Sequence, residues 1–174
     1  LNGRTAAFGE LVRRYQGRLF NTVYRLLDNP EDAQDVVQES FISAYQSLAS
    51  FKGDSLFFTW LYRIAMNAAI SLRRKKKVAV SLDTGSKHDL MIDPADESRD
   101  NQPGQAMERR EEESQLQAAL NRLSTEHRMV IVLKDIEDLR YEEIAVALEV
   151  PVGTVRSRLH RARLELREIL EKDE

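Results

Sequence analysis

Apolar residues recur at a helical spacing on both sides of a central segment that has no such period. In the first half the series is Phe8, Leu11, Val12, Tyr15, Leu19, Phe20, Val23 and Leu27. Residues 79–107 instead contain turn-forming and acidic residues with few large apolar ones. Because no segment alternates as a β-strand would, we expect an all-α fold. The expected domains are residues 1–78 and 113–174, two small helical units joined by a flexible acidic linker at residues 79–112.

The composition excludes several kinds of chemistry. The chain has no cysteine, so it can form neither disulfides nor thiolate metal sites, and a reducing compartment is expected. Its three histidines have no HExxH-like spacing to carboxylates, and neither a P-loop nor a nucleophile elbow occurs. We therefore predict no catalytic residue, no cofactor and no metal site. No apolar run approaches the ~20 residues that span a bilayer, which predicts a cytoplasmic protein without membrane insertion of its own.

The overall net charge of −3 hides an uneven distribution. Residues 1–78 carry 12 basic and 7 acidic side chains, for a net charge of +5, whereas residues 79–113 carry 4 and 10, for −6. Residues 114–174 carry 10 and 12, for −2, with the positive charges gathered near the end of the chain. Because phosphates respond to local patches, the acidic total does not argue against nucleic-acid binding.

Aromatic residues precede a basic run in the segment at residues 51–77. The aromatic residues are Phe57, Phe58, Trp60 and Tyr62, and the run at residues 73–77 is RRKKK. Aromatic faces beside cations are suited to unpaired bases and their phosphates, at roughly 1–3 kcal/mol per stacked base. The helical spacing of Trp60 with Leu61 and Ile64 indicates equally that part of the set is core. Asp54 or Ser55 is expected to cap the helix that carries these residues.

The C-terminal region has the pattern of a helix-turn-helix. A short amphipathic helix is predicted around residues 141–148, a break at Glu149-Val150, and a new helix with Pro151 in its first position. The exposed face of this second helix carries Arg156, Ser157, His160, Arg161 and Arg163. Arginine can grip guanine bidentately in the major groove, which favours a DNA-reading helix. The alternative is a helical hairpin whose arginines are only solvated.

An acidic stripe is predicted on the helix at residues 32–48. Asp32, Asp35 and Glu39 follow a spacing of three and four residues, so they share one helix face. Such a stripe is either solvated or the contact surface for a basic partner, and the spacing alone leaves both open.

Three segments together resemble one known family. They are DAQDVVQESFISAYQSL, FKGDSLFFTWLYRIAMN and LRYEEIAVALEVPVGTVRSRLHRAR. They are similar to bacterial RNA polymerase sigma factors of the extracytoplasmic-function (ECF) group, most of all the envelope-stress type. The resemblance implies a protein that binds core RNA polymerase and directs promoter-specific initiation. The implied partners are the beta and beta-prime subunits, double-stranded and melted promoter DNA, and an anti-sigma factor.

The resemblance also implies roles for individual residues. A docking stripe for the polymerase clamp would comprise Asp32, Asp35, Gln38, Glu39 and Phe41. A minus-ten set, which captures a flipped base and the melted strand, would comprise Phe51, Lys52, Gly53, Asp54, Ser55, Phe58, Trp60, Arg63, Asn67, Ser71, Arg73 and Arg74. A recognition face for the minus-thirty-five element would comprise Thr154, Arg156, Ser157, His160 and Arg161. Ser71 stands where relatives often have asparagine, and the residue at the position of His160 varies among relatives.

Two other functions fit parts of the pattern. A two-domain transcriptional regulator could read duplex DNA without acting as a polymerase subunit, but it would have no use for base-stacking aromatic residues. A polymerase-binding adaptor without DNA specificity would have no use for the arginine-rich last helix.

Overall fold

The computed structural model describes residues 2–82 and 103–173, which contain seven α-helices and no strand. The helices are α1 (Asn2–Leu27), α2 (Pro30–Ser47), α3 (Phe57–Leu82), α4 (Pro103–Arg122), α5 (Thr125–Ile131), α6 (Tyr141–Leu148) and α7 (Val152–Asp173). A single 3-10 turn (Leu48–Ser50) follows α2, and a π-helical turn (Val132–Ile136) follows α5. The all-α expectation is confirmed.

Helices α1, α2 and α3 pack around one apolar core. Its fully buried side chains include Leu19, Val23, Leu61, Tyr62 and Met66. The break between α1 and α2 falls at Asp28, whose φ of 55° is left-handed. Asn29 then caps α2 by accepting from the Asp32 backbone N–H at 2.9 Å, and Pro30 occupies the first turn. The sequence pattern placed the start of this helix at Asp32. In the structure α2 begins two residues earlier, at Pro30.

The loop before α3 positions its side chains differently from the sequence expectation. The first helical hydrogen bond of α3 runs from the Trp60 N–H to the Leu56 carbonyl at 3.1 Å. Leu56, rather than Asp54 or Ser55, thus occupies the N-cap position. Gly53 turns the loop with a φ of 80°, a left-handed conformation that glycine adopts without the steric cost of a Cβ.

The helices extend into the predicted linker from both sides. Helix α3 continues to Leu82, and α4 begins at Pro103. The apolar residues from Leu116 onward predict that helix resumes near Glu108, and the structure begins α4 five residues earlier. Glu111, Glu112 and Glu113 of this helix are all exposed. The rest of the predicted linker, residues 83–102, lies outside the described residues.

Helices α5, α6 and α7 form the second core with the end of α4. Its fully buried side chains include Leu120, Leu133, Ile144, Val155 and Leu159. Helices α6 and α7 form the predicted helix-turn-helix, with Glu149 in the left-handed region at φ 54°. Pro151 differs from the expectation, because its carbonyl accepts from the N–H groups of Thr154 (2.9 Å) and Val155 (3.2 Å). It is therefore the N-cap of α7 and not its first helical residue.

The two halves also pack against each other, with α6 lying on α3 and the segment around the π-helical turn lying on α1. This contact was not expected from the sequence, which indicated two domains on a tether. It brings the helix-turn-helix against the helix that carries most of the minus-ten set.

Candidate nucleic-acid interface

The docking stripe lies on the outer surface of α2. Asp35, Gln38 and Glu39 are exposed, whereas Asp32 is partly covered and forms an ion pair with Lys76 of α3. Phe41 is buried against the ring of Phe8, with centroids 6.3 Å apart. The structure therefore brings the three polar residues together on the surface and places Phe41 beneath them in the core.

Two residues that the sequence analysis missed extend this surface. Ile42 is 52% exposed and Tyr45 is 43% exposed, and both follow Gln38 and Glu39 at helical spacing. Large apolar side chains in water are unusual unless they are scattered singly. Their spacing relative to the acidic residues was the available signal, but the sequence analysis assigned neither residue a role.

The loop of the minus-ten set presents a polar tip. Lys52, Gly53 and Asp54 are exposed, while Phe51 and Ser55 are partly buried. Phe51 packs on Trp60 with centroids 5.0 Å apart, which anchors the start of the loop to α3. The packing of Phe51 on Trp60 thus leaves the side chains of Lys52 and Asp54 exposed to solvent, where they can contact a ligand.

The aromatic residues at the start of α3 are largely core. Phe58 and Trp60 are 9% and 7% exposed, and Tyr62 is fully buried. The Phe58 ring stacks on Tyr15 at 4.7 Å, and the Arg18 guanidinium lies 4.5 Å from its centroid. In this structure Phe58 and Trp60 support the loop and do not present a stacking face, so the core interpretation applies to both.

The remaining minus-ten residues lie along α3. Arg63, Asn67, Ser71 and Arg74 are separated by three or four residues and share one face of the helix, on which the last three are exposed. Arg63 is partly covered, with its guanidinium 4.0 Å from the Glu149 carboxylate. Arg73 is directed to the end of α1, where it donates to the Leu26 carbonyl at 3.4 Å.

The recognition face is presented to solvent by α7. Arg156, Ser157, His160 and Arg161 are all exposed, and Thr154 is partly buried. The Ser157 hydroxyl donates to the Thr154 carbonyl at 3.1 Å, and the Arg156 guanidinium lies 5.6 Å from the Tyr141 ring centroid. These contacts position the side chains without burying their polar ends.

Two neighbouring arginines of α7 form ion pairs with acidic residues of the same half. Arg158 forms an ion pair with Glu126 at 2.9 Å, and Arg163 Nε donates to Asp135 at 3.0 Å. The hydrogen bond to Asp135 raises the pKa of Arg163 above its ordinary value. Arg163, which the sequence pattern placed on the solvated face, is therefore tied to the segment before α6.

The described residues, 2–82 and 103–173, contain no cluster of three or more histidine or acidic side chains that could hold a metal ion. Within the same ranges, no helix is both long and apolar enough to cross a membrane.

Comparison with known proteins identifies both halves. Residues 11–78 match the family described as Sigma-70 region 2, and residues 113–166 match Sigma-70 region 4. The RNA polymerase sigma-H factor of Pseudomonas aeruginosa is 38% identical, covering 92% of this chain and 84% of its own length. The ECF RNA polymerase sigma factor SigW of Bacillus subtilis is 38% identical, covering 97% and 91%. The ECF sigma-E factor of Salmonella typhimurium is 40% identical, covering 92% and 85%.

Two solved structures have the same arrangement of helices. CnrH in complex with the cytosolic domain of CnrY superposes with a TM-score of 0.71 at 29% identity, covering 98% of this chain and 91% of the other. The sigma factor RpoE in complex with the anti-sigma factor NepR from Bartonella quintana gives a TM-score of 0.76 at 27% identity, covering 97% and 99%. With both sigma-70 regions present and such relatives along almost its full length, this chain belongs to the ECF group of RNA polymerase sigma factors.

Proposed function

We propose that this sigma factor directs core RNA polymerase to its promoters by reading DNA at two separate surfaces. The observation that carries the proposal is the solvent exposure of Arg156, Ser157, His160 and Arg161 on α7, beside arginines of the same helix that are used in internal ion pairs. Arg158 and Arg163, which stabilise the fold, form ion pairs with Glu126 and Asp135. A row that is held out in water on the second helix of a helix-turn-helix is available to base edges in the major groove.

The minus-thirty-five element is read by the recognition face as duplex DNA. Arg156 and Arg161 supply guanidinium groups for guanine edges, and Thr154 and Ser157 supply hydroxyls near the N-terminus of α7. The amide groups of a helix N-terminus also favour a phosphate, which would fix the register of the helix on the duplex.

Once the minus-ten element is melted, the loop before α3 and the exposed face of α3 bind its unpaired strand. Lys52, Asp54 and Ser55 at the loop tip offer hydrogen-bonding groups to an extruded base. Asn67, Ser71 and Arg74 continue along α3 as a polar and cationic track for the strand. Phe58 and Trp60 contribute by holding the loop.

Core polymerase docks on α2. Asp35, Gln38 and Glu39 supply an acidic and hydrogen-bonding surface suited to a basic partner, and Ile42 and Tyr45 supply apolar area beside it. We assign this surface to the beta-prime subunit and the C-terminal half to the beta subunit. The chain itself performs no catalysis, because the polymerase supplies the chemistry of RNA synthesis.

The domain division that we propose is residues 1–78 for the minus-ten and docking functions, 113–174 for the minus-thirty-five function, and 79–112 as the connection. The acidic character of that connection suits a basic channel in the polymerase. The protein acts in the bacterial cytoplasm. An anti-sigma factor restrains it, a proposal supported by the solved relatives, which are complexes of CnrH with CnrY and of RpoE with NepR.

Run-off transcription tests the proposed function. Core polymerase with this chain is presented with a library of candidate promoters, and core polymerase alone is the control. We expect transcripts that start at defined positions from a subset of templates sharing two spaced elements. Transcripts that are the same with and without the chain would contradict the proposal.

A further inference from the structure

The guanidinium of Arg156 lies over an aromatic ring instead of beside a carboxylate. Its Cζ atom is 5.6 Å from the ring centroid of Tyr141, within the ~6 Å at which a ring face attracts a cation. Within residues 2–82 and 103–173, the Arg156 side chain makes no hydrogen bond and no ion pair. Arg158 and Arg163 of the same helix are instead paired with acidic residues. Arg156 is therefore oriented by a contact of a different kind.

The ring of Tyr141 is held in place by the fold. Tyr141 is the first residue of α6, and its side chain is partly buried against the second core. The start of α6 is itself fixed, because the backbone N–H of Arg140 donates to the Glu143 carboxylate at 2.8 Å. Helix α6 packs against α7, which carries Arg156. Tyr141 thus presents a ring in a defined position to the recognition face.

A ring face can orient an arginine without using its hydrogen-bond donors. A carboxylate partner would accept from the same N–H groups that grip the two acceptors of guanine. An aromatic face contacts the flat side of the guanidinium and leaves its N–H edge free. It also restricts the rotamers of a long side chain, so less conformational entropy is lost when the base is bound.

We propose that Tyr141 is a positioning residue that sets Arg156 for its base in the minus-thirty-five element, so that a residue outside the recognition face determines part of the promoter specificity. The effect on specificity rests on the proposed function, whereas the contact between ring and guanidinium rests on the structure alone. Arg161 supplies a comparison on the same helix. It is exposed, and no aromatic ring in the described part of the chain lies against its guanidinium.

Base-pair substitution across the minus-thirty-five element tests the proposal in polymerase that carries the full chain. Each pair of the element in a promoter selected by run-off transcription is changed in turn, and binding is measured by competition. Arg156→Ala and Arg161→Ala first identify the pair at which each arginine gives a preference. Tyr141→Leu keeps apolar volume but lacks a ring. It should reduce the preference at the Arg156 pair about two- to fivefold and leave the Arg161 pair unchanged.

A second explanation involves the tyrosine hydroxyl, and Tyr141→Phe separates it from the first. The ammonium of Lys134 lies 5.9 Å from the centroid of the same ring, so hydroxyl and ammonium could together bind a DNA phosphate. Tyr141→Phe keeps the ring and should retain the preference of the parent at the Arg156 pair. An equal loss of affinity on all sequences in both Tyr141 variants would indicate a phosphate contact and overturn the positioning role.

A double-mutant cycle determines whether Tyr141 acts through Arg156. In the Arg156→Ala background Tyr141→Leu should cause no further loss of preference, because the ring has no guanidinium left to orient. In the Arg161→Ala background its effect at the Arg156 pair should be undiminished. Circular dichroism verifies that each variant keeps its helices, and Tyr141→Met replaces a leucine variant that does not fold. Additive effects of the Tyr141 and Arg156 substitutions would contradict the proposal.

NMR of the full chain tests the contact without DNA. Protons above a ring face resonate upfield, so the Cδ protons of Arg156, assigned by their loss in Arg156→Ala, should move downfield in Tyr141→Leu. They should move little in Tyr141→Phe, and the Arg161 resonances should stay in place. Arg156 resonances that are the same with and without the ring would overturn the contact. Polymerase with the parent chain that prefers no element would contradict the proposed function, while the resonances would still decide the contact.

Discussion

Arg128 Nη1 donates to the carbonyl oxygen of Leu26 at 3.0 Å, so a guanidinium from the second half closes the carboxyl end of α1. Gln117 adds a bond from its side-chain amide to the Arg25 carbonyl at 3.3 Å. The last carbonyls of a helix have no partner within it and carry partial negative charge, which makes a cation favourable there. The end of α1 is therefore completed by residues about a hundred positions further along the chain.

Arg128→Met should lower the free energy of unfolding by about 1–3 kcal/mol, since it removes the bonds to Leu26 and Asn121 and keeps an apolar side chain of similar length. Urea unfolding at neutral pH measures the change. Arg167→Met, at an exposed position of α7, is the control and should change stability little. An Arg128 variant as stable as the parent would show that the cost of burying the guanidinium equals what its hydrogen bonds contribute.

The sequence predicted the helices better than it predicted their packing. The all-α fold and the helix-turn-helix followed from apolar spacing, which depends on residues three and four apart. The seating of Glu137 against Arg18 depends on residues 119 apart, and neither side chain is distinctive in its own segment. Glu137 is one acidic residue in a polar loop, so no local pattern could distinguish it from a solvated neighbour such as Asp138.

The sequence predicted which residues form the candidate site, but it did not predict which of their side chains are buried. The recognition face on α7 is exposed as the spacing of its polar residues indicated. Phe58 and Trp60 could be interpreted from sequence as either base-stacking or core residues, because an aromatic side chain fits both. Their burial is decided by Tyr15, Arg18 and Phe51, which come from other segments and pack on the two rings.

Charge reversal on α2 should abolish docking on core polymerase. In the double variant Asp35→Lys with Glu39→Lys, the exposed stripe repels a basic partner, whereas the fold is little affected because exposed charges contribute little to stability. Pull-down with core polymerase measures the association. The matched control reverses Glu111 and Glu112 on α4 and should still bind. Retained binding by the α2 variant would show that the stripe is only solvated.

Arg156→Ala and Arg161→Ala should each weaken promoter binding by about 1–3 kcal/mol, provided that the arginine contacts a base. Competition with scrambled minus-thirty-five elements separates base from phosphate contacts. Loss of preference for the cognate sequence indicates a base contact, and an equal loss on all sequences indicates a phosphate contact. Arg167→Ala, at an exposed position six residues beyond Arg161 on α7, provides the comparison. An unchanged affinity would remove the substituted residue from the recognition face.

Glu143 should make the stability of α6 depend on pH. Burial alone would raise its pKa, but the backbone N–H of Arg140, which donates to it at 2.8 Å, and the Arg140 guanidinium outweigh burial and hold the pKa below the ordinary value of 4.5. A depressed pKa means that the contribution is complete above pH 4.5 and disappears as pH falls through the folded-state pKa.

The variant Glu143→Gln tests the pH dependence of stability, because the amide oxygen can still accept the hydrogen bond from Arg140 while the negative charge is lost. At pH 7 it should lower the free energy of unfolding by about 0.5–1 kcal/mol, and the difference from the parent should vanish once Glu143 is protonated. Glu142→Gln changes the exposed neighbour and serves as the control. A difference that persists unchanged at low pH would show that shape, and not charge, is responsible.

Substitution at the tip of the loop before α3 should separate duplex recognition from strand opening. Asp54 and Ser55 do not occupy the N-cap of α3, so the variant Asp54→Ala with Ser55→Ala should fold, dock on polymerase and protect the minus-thirty-five element. It should fail to open the minus-ten region, which is seen as lost permanganate reactivity of unpaired thymines. Its activity should return on a template already mismatched there, because the few kcal/mol needed to unstack a base have been removed in advance. Opening of a fully paired promoter at the parent rate would show that the loop is structural.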